Sequence, residues 1–288
     1  MVTAIETTSM RDDILARIAF VPPLPTASIE VIRLALDPDV SDARIAQAIQ
    51  YDPSLTTNVL RLANSAYFGF PRSVSTLREA FLRRGTNRVF QLVLTATIGK
   101  MAQMQVRGYD LSGGDLWDHL IGTAIGTTKL AEALHLDTPK HTFTAALMHD
   151  IGKIVLGTFV EVNAPTVIGF AIKHKVSFEL AEQEVLGIDH AEVGACLLEH
   201  WNLPEALVKA VRWHHQPEEF SGDPLVVNLV HVADVVCLMT GIGAGIDALS
   251  YRPSSNALVQ LGLNNNGLES IAYKIINELM EVRKLFKL

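Results

Sequence analysis

Apolar residues recur along this chain at the three- and four-residue spacing of amphipathic helices, and no run of alternating strands or βαβ rhythm interrupts them. Ser41 stands as an N-cap before 42–50, and Asp52 followed by Pro53 puts a side-chain acceptor at the cap of 54–63 with proline at its first position. Thr76-Leu77-Arg78-Glu79 has the capping-box spacing. Residues 89–104 are apolar and rich in Leu, Val and Thr; the length of the run predicts a buried helix in spite of its strand propensity. Further helices are predicted over 116–133, over 141–156, from a second capping box at Asp189 and Glu192 to Trp201, over 205–215 between Pro204 and Pro217, over 225–239, and over the amphipathic 268–286. The pattern predicts an all-α fold.

Punctuation along the chain suggests four parts. Val21-Pro22-Pro23-Leu24-Pro25 is held extended by proline sterics and joins a first helix or tail, 1–20, to the body. Softer breaks near 107–114 and 241–253 divide the rest into an N-terminal helical part (21–105), a central part (106–240) and a C-terminal extension (241–288). The amphipathic face from Leu268 onward is a candidate packing or dimer surface, and oligomeric state stays open.

Composition narrows the function classes. With 288 residues, 49% hydrophobic and 19% charged, the chain has the makings of a substantial core and is not a disordered segment. A net charge of −7 disfavours broad contact with nucleic-acid phosphates or an anionic membrane surface. The one basic cluster, Arg83, Arg84 and Arg88, reads as a solvated helix end. Cys196 and Cys237 lie in apolar runs without CxxC spacing, as buried reduced thiols do. Glu6, Arg11, Asp12 and Asp13 near the N-terminus are unlike a signal peptide. The longest uncharged apolar stretch, 235–246, is shorter than the roughly 18–20 residues of a membrane span. A cytoplasmic protein is expected.

The candidate chemistry lies in the histidines. Of ten, five join two aspartates in an ordered set: His119, His149-Asp150, His190, His214-His215 and Asp234. Each falls on or at the start of a separate predicted helix, and a helix bundle can bring such positions together. Imidazole and carboxylate suit iron, manganese, zinc or nickel, and no set of thiolates points to a structural zinc site. Adjacent helical residues diverge by about 100°, so each adjacent pair could address two ions, or one ion and its surroundings. His190 opens its helix, where the dipole favours anions such as a substrate phosphate. A lone His-Asp dipeptide is common, and a lone buried histidine is more often hydrogen-bonded than metal-bound; the order of the set on an apolar background is what carries the reading. His135, His141, His174, His200 and His231 are read as ordinary, although His231 lies one turn from Asp234 and shares its face.

These residues bring a resemblance into view. Val21–Pro25, Asp52-Pro53-Ser54-Leu55, Val59-Leu60-Arg61-Leu62-Ala63-Asn64-Ser65-Ala66 and 76–85, followed by Leu147–Lys153, Asp189–Ala195 and Trp213–Pro217, resemble the HDOD (HD-related output domain) branch of the HD superfamily of metal-dependent phosphohydrolases. The resemblance implies a multi-helix HD-type bundle with an N-terminal helical subdomain, and a role in bacterial signal transduction or gene regulation. Many HDOD modules have lost ligand positions; here every one named above is still His or Asp. The chain is also similar at these positions to HD-GYP phosphodiesterases, in which an acidic residue one turn before the first histidine bridges the metals; Asp115 is its match. The Gly-Tyr-Pro motif is missing, since Glu218-Glu219-Phe220 follows Pro217, and this argues against cyclic-di-GMP hydrolysis.

Two classes of function follow. In the first, His119, His149, Asp150, His190, His214, His215, Asp234 and Asp115 hold one or two ions of Fe, Mn or Zn for hydrolysis of a phosphate ester or nucleotide, with Asp150 and Lys153 as catalytic candidates. Lys153 would steady the substrate phosphate or protonate the leaving group, or else simply face solvent at a helix end. In the second, the cluster is structural or a relic, and the protein docks a kinase, cyclase or regulator. Nucleotide binding without turnover is compatible with either.

Overall fold

A computed structural model describes residues 4–36, 41–50, 52–65, 68, 73–248 and 251–286. Among them the chain forms α1 (Ala4–Ile18), α2 (Thr26–Leu36), α3 (Asp42–Gln50), α4 (Pro53–Ala63), α5 (Leu77–Ala102), α6 (Asp115–Ala133), α7 (Thr142–Met148), α8 (Lys153–His174), α9 (Phe178–Leu186), α10 (His190–His200), α11 (Glu205–Trp213), α12 (Leu225–Met239), α13 (Ser255–Leu261) and α14 (Asn265–Phe286). A 3-10 turn, Arg107–Tyr109, precedes α6, and the described residues contain no strand beyond one isolated bridge between Val106 and Leu111. The all-α reading therefore holds.

Three of the predicted caps are formed. Asp52 accepts the Leu55 N–H (2.9 Å), Thr76 accepts that of Glu79 (3.2 Å), and Asp189 accepts that of Glu192 (2.8 Å). Glu79 reaches back to the Ser75 N–H at 2.8 Å, one residue beyond the usual capping-box target. Helix α5 is longer than predicted and is two helical pieces joined at Gly85, whose φ of +73° suits a residue without a β-carbon.

One boundary differs in a way that matters for function. The single helix expected over 141–156 is two, α7 and α8, separated by a tight turn at 149–152. Backbone bonds there close over three residues: Ile151 N–H to Met148 O (3.1 Å) and Lys153 N–H to Asp150 O (3.0 Å). The turn is pressed onto α10, so that a β-carbon on Gly152 would lie 2.0 Å from His190 O and 2.5 Å from Gly194 N. Helices α8 and α9 complete a region that the sequence reading left open. Within Thr142–His174 one 18-residue window has a mean hydropathy of 1.6, apolar enough by length and composition alone to cross a membrane. Of that window 33% is buried against the rest of the fold, which a core helix of the bundle also shows.

Helices α2–α5 form one group, tied by a 2.7 Å hydrogen bond between the Ser28 and Thr97 hydroxyls, and α5 rests on α6 and α7. Helix α6 runs through the other group and touches α7, α12 and α14. Residues 1–20 are not a loose tail where they are described: α1 crosses to α8, α9 and α10 and buries Ile14 and Ile18. Helix α14 buries Leu268, Ile271, Ile275, Leu279 and Val282, each worth about 1.5–3 kcal/mol of transfer free energy. Its Arg283 meets Asp118 of α6 at 2.6 Å. That is the packing role foreseen for its inner face.

Of the basic cluster, Arg83 is exposed beside Glu79 (3.8 Å), but Arg88 is packed over the Phe68 ring at 4.7 Å, so it is not simply solvated. The Arg84 side chain lies outside the described residues. Both cysteines are free; Cys237 is buried, which pushes its thiol pKa upward, while Cys196 is only half-buried.

Candidate metal centre

Seven of the predicted residues meet in the core. His119 comes from α6, His149 and Asp150 from the turn after α7, His190 from the first position of α10, His214 and His215 from the turn after α11, and Asp234 from the middle of α12. The most exposed of these side chains, His215, is only 4% exposed. Asp150 is at the centre, and its two oxygens face different partners. Oδ2 lies 3.3 Å from His119 Nε2 and 3.5 Å from His149 Nε2. Oδ1 lies 3.2 Å from His190 Nε2 and 3.5 Å from His214 Nε2. Asp234 Oδ1 stands on the first side, 3.0 Å from His119 Nε2 and 3.6 Å from His149 Nε2. His215 stands on the second, its Nε2 2.7 Å from His190 Nε2.

The imidazoles are held by their far nitrogens. His149 Nδ1 meets Ala146 O at 2.8 Å, His214 Nδ1 meets Val211 O at 2.6 Å and His119 Nδ1 meets Ile242 O at 3.2 Å. His190 Nδ1 meets Glu182 Oε2 at 2.7 Å. Carbonyl and carboxylate oxygens only accept, so each Nδ1 carries a hydrogen, and each neutral ring turns the lone pair of Nε2 inward. Lone pairs thus converge on lone pairs: His119 Nε2 and His149 Nε2 are 3.2 Å apart. Only added protons or bound cations reconcile this arrangement. Asp150 Oδ1, both Asp234 oxygens, His214 Nε2 and His215 Nδ1 are buried without a hydrogen-bond partner. Three overlapping groups have ligand atoms within 4.8 Å of one another: Asp150 with His190, His214 and His215; His119 with His149 and Asp150; and His149 with His214 and Asp234. The donor set fits divalent transition metals.

Protonation of the metal-free cluster follows the same geometry. Burial penalises charge on His119, but the carboxylates of Asp150 and Asp234, 3.3 and 3.0 Å from its Nε2, outweigh it and raise its pKa to about 9. His190 is also raised, against burial, by Glu182 and Asp150. Burial and the neighbouring histidines push His215 well down, and burial lowers His214. Asp150 and Asp234 are held well below the usual carboxylate range, because surrounding cationic groups outweigh their burial. Between about pH 7 and pH 9 the raised histidines carry more charge in the folded than in the unfolded chain, and the buried thiol of Cys237 adds to the effect only near the top of that window. Their stabilisation is full below the ordinary histidine value of about 6.5 and is lost as pH rises through about 9. Chelator-treated protein is therefore expected to lose several degrees of Tm over that window; a flat Tm in a thermal-shift series would contradict the assignment.

Asp115 is not brought into the cluster. Its carboxylate accepts the Ser112 N–H at 2.8 Å and closes the turn before α6, so the expected bridging place is not filled by this residue. Lys153 is buried, not solvent-facing, with Nζ 2.5 Å from Asp150 Oδ2 and 2.6 Å from Asp247 Oδ2. His231 is, as read, a hydrogen-bonded core histidine: Nδ1 meets His214 O at 2.7 Å and Nε2 accepts the Ser254 N–H at 2.9 Å.

The supporting residues were not singled out from sequence. Glu182 of α9 accepts from His190 Nδ1, from the His190 N–H at 3.0 Å and from the Tyr109 hydroxyl. A signal for it exists: Glu182 shares a helix face with buried Phe178, Val185 and Leu186. Asp247 arrives on the loop after α12, where Gly243 and Gly245 permit close approach to His119 and Tyr109. Tyr251 stacks on His215 with ring centroids 4.6 Å apart and planes 8° from parallel. Glu182→Ala is expected to lower metal affinity by about 10–100-fold, as loss of a partner that orients a ligand does. Competition against a calibrated chelator measures this; unchanged affinity would show that His190 needs no anchor.

Relatives place the fold. A structure of an HDOD domain protein of unknown function from Geobacter sulfurreducens superposes with TM-score 0.73 at 23% identity, covering 99% of this chain and 95% of that one. A Shewanella amazonensis SB2B protein provisionally named a phosphohydrolase gives 0.69 at 26% identity, covering 94% and 97%. An uncharacterised protein of Treponema pallidum (strain Nichols) is 28% identical over 230 residues, 77% of this chain but only 43% of that longer protein. The sequence profile of the HDOD domain matches residues 21–217, and the chain belongs to the HDOD domain family.

Proposed function

We propose that this HDOD protein is a bacterial signalling module whose His/Asp cluster binds one or two divalent metal ions, of the Fe, Mn or Zn type, and hydrolyses a phosphate ester or nucleotide. The observation that carries this is Asp150, whose two oxygens face separate histidine sets, as a carboxylate shared between two ions would. His119, His149, Asp150 and Asp234 would hold one ion; Asp150, His190, His214 and His215 would hold the other. Such ions lower the pKa of bound water to near neutrality and polarise a phosphoryl oxygen. The protein's own part is orientation: the Nδ1 anchors fix four rings, and burial excludes bulk water. Lys153 keeps its proton firmly, since Asp150 and Asp247 outweigh its burial and raise its pKa. That supports a role in holding Asp150 and adding positive charge, in preference to protonating a leaving group.

The test is elemental analysis of protein purified without chelator or affinity tag under low oxygen, followed by assays on phosphate esters and nucleotides. One or two equivalents of metal with turnover support the reading. Failure to take up metal on reconstitution would overturn it. A second reading, a catalytically silent module docking a kinase, cyclase or regulator, is favoured by the near-complete burial of the cluster; metal without turnover on any phosphate ester would select it.

A further inference from the structure

Helix α8 packs its inner side against α1, α9, α10 and the 3-10 turn before α6, and buries Val160, Val167 and Ala171 there. Its outer side is open. Val162 and Ile172 are 80% and 73% exposed, and Pro165 and Gly169 between them are exposed as well. These four residues share one face of the helix. A helix side that faces water ordinarily carries charge, yet residues 162–172 carry none. A β-carbon on Gly169 would meet nothing within 4 Å, so the middle of the stripe is uncovered too.

The stripe reads the same in both directions. Its intervals of three, four and three residues are symmetric about position 167, with a β-branched side chain at each end and a short residue at each inner place. Charge is arranged the opposite way: Glu161 stands just before the stripe and Lys173 just after it. Glu161 has a long ion pair, 3.9 Å, with exposed Arg107. A two-fold interface demands this kind of pattern, because the patch must fit its own copy. We propose that this face of α8 docks on the same face of a second copy of the chain, with the two helices antiparallel about an axis at residue 167. Val162 then meets Ile172 of the second copy, Pro165 meets its Gly169, and Glu161 stands level with its Lys173. A parallel pair would instead set like charges side by side. The antiparallel pair also opposes the two helix dipoles. One helix pair buries on the order of 1,000 Å², the low end for specific contacts, so a weak dimer with a Kd in the micromolar range is expected. A bilayer is the poorer occupant: helices that lie on membranes set a broad stripe of Trp, Phe and Leu beside Lys and Arg, whereas this stripe is narrow and begins at Glu161.

The experiment is sedimentation velocity of the full chain over about 1–300 μM, the range in which such a dimer forms and dissociates. Val162→Glu and Ile172→Glu each put an unpaired charge into the seam and should raise Kd by about tenfold or more. Their Tm should match the wild type, because both side chains are exposed. Glu161→Lys should weaken the dimer several-fold, and Glu161→Lys/Lys173→Glu should restore it to within about twofold, since the exchange recreates the opposed charges across the axis. A wild type that sediments as a monomer throughout overturns the proposal, as does a dimer whose Kd neither glutamate variant moves. Failure of the charge exchange to restore association overturns the antiparallel register. A monomer that binds vesicles of phosphatidylcholine and phosphatidylglycerol, and loses them in Val162→Glu, would overturn the second copy as the occupant and assign the face to a bilayer.

Discussion

Asp150→Ala is expected to strip the protein of its metal, lowering affinity by more than about 100-fold, because it removes the one side chain common to both ligand sets. Losing an outer ligand such as His119 or His190 would affect one set only. Stability should also fall. In the metal-free protein Asp150 lies 2.5 Å from buried Lys153, and removal of one partner of a buried pair costs about 3–5 kcal/mol. Asp247, 2.6 Å from the same Nζ, remains, so the loss should sit at the lower end of that range and the helical fold should survive. Asp150→Asn keeps the volume and tests the charge alone. Metal analysis and denaturant titration of the two variants measure the effect. Full metal content in Asp150→Ala would rule out the shared-carboxylate arrangement.

Much of this centre was legible in the sequence, for a physical reason. Polar residues on apolar helices are conspicuous because burying them costs free energy unless they are paired. His119 and Asp234 interrupt buried stretches of α6 and α12 and announce themselves. His149-Asp150 and His214-His215 are conspicuous as pairs, and their resemblance to HD-type motifs did the rest. The helices were legible from period and caps, and Asp52, Thr76 and Asp189 are used as caps where expected. What stayed hidden depends on tertiary approach. Asp247 lies in a glycine-containing loop with no periodicity, which reads as a break between parts. Tyr251 lies beyond it, with no local pattern to link it to His215, its partner across the fold. Lys153 looks like an ordinary charge at a helix start until the chain brings Asp247 beside it. Asp115 illustrates the opposite error: it has the right position before His119, but its shorter side chain is used locally by the Ser112 N–H.

The second large effect is expected at Gly152, and it follows from the turn that the sequence pattern missed. Periodicity alone carries α7 into α8, yet 149–152 must leave the helix for His149 and Asp150 to enter the same centre as His190. What holds the turn there is backbone lying on backbone. Gly152→Ala would put a methyl group 2.0 Å from His190 O and 2.5 Å from Gly194 N, and no side-chain rotation can relieve either contact. Because the obstructed atom belongs to His190 itself, the turn and α10 must separate, and with them Asp150 Oδ1 from the second histidine set. Destabilisation at or above the roughly 1–3 kcal/mol of an overpacked core is expected, together with loss of metal. Gly169, in the same stretch of chain but on the exposed side of α8, is the control: a β-carbon there meets nothing within 4 Å. Gly169→Ala should stabilise by roughly 0.5–1 kcal/mol, the ordinary gain of alanine over glycine in a helix, and leave metal content unchanged. If Gly152→Ala behaves like Gly169→Ala in unfolding and metal analysis, the contact between the turn and α10 is not what aligns the two halves of the site.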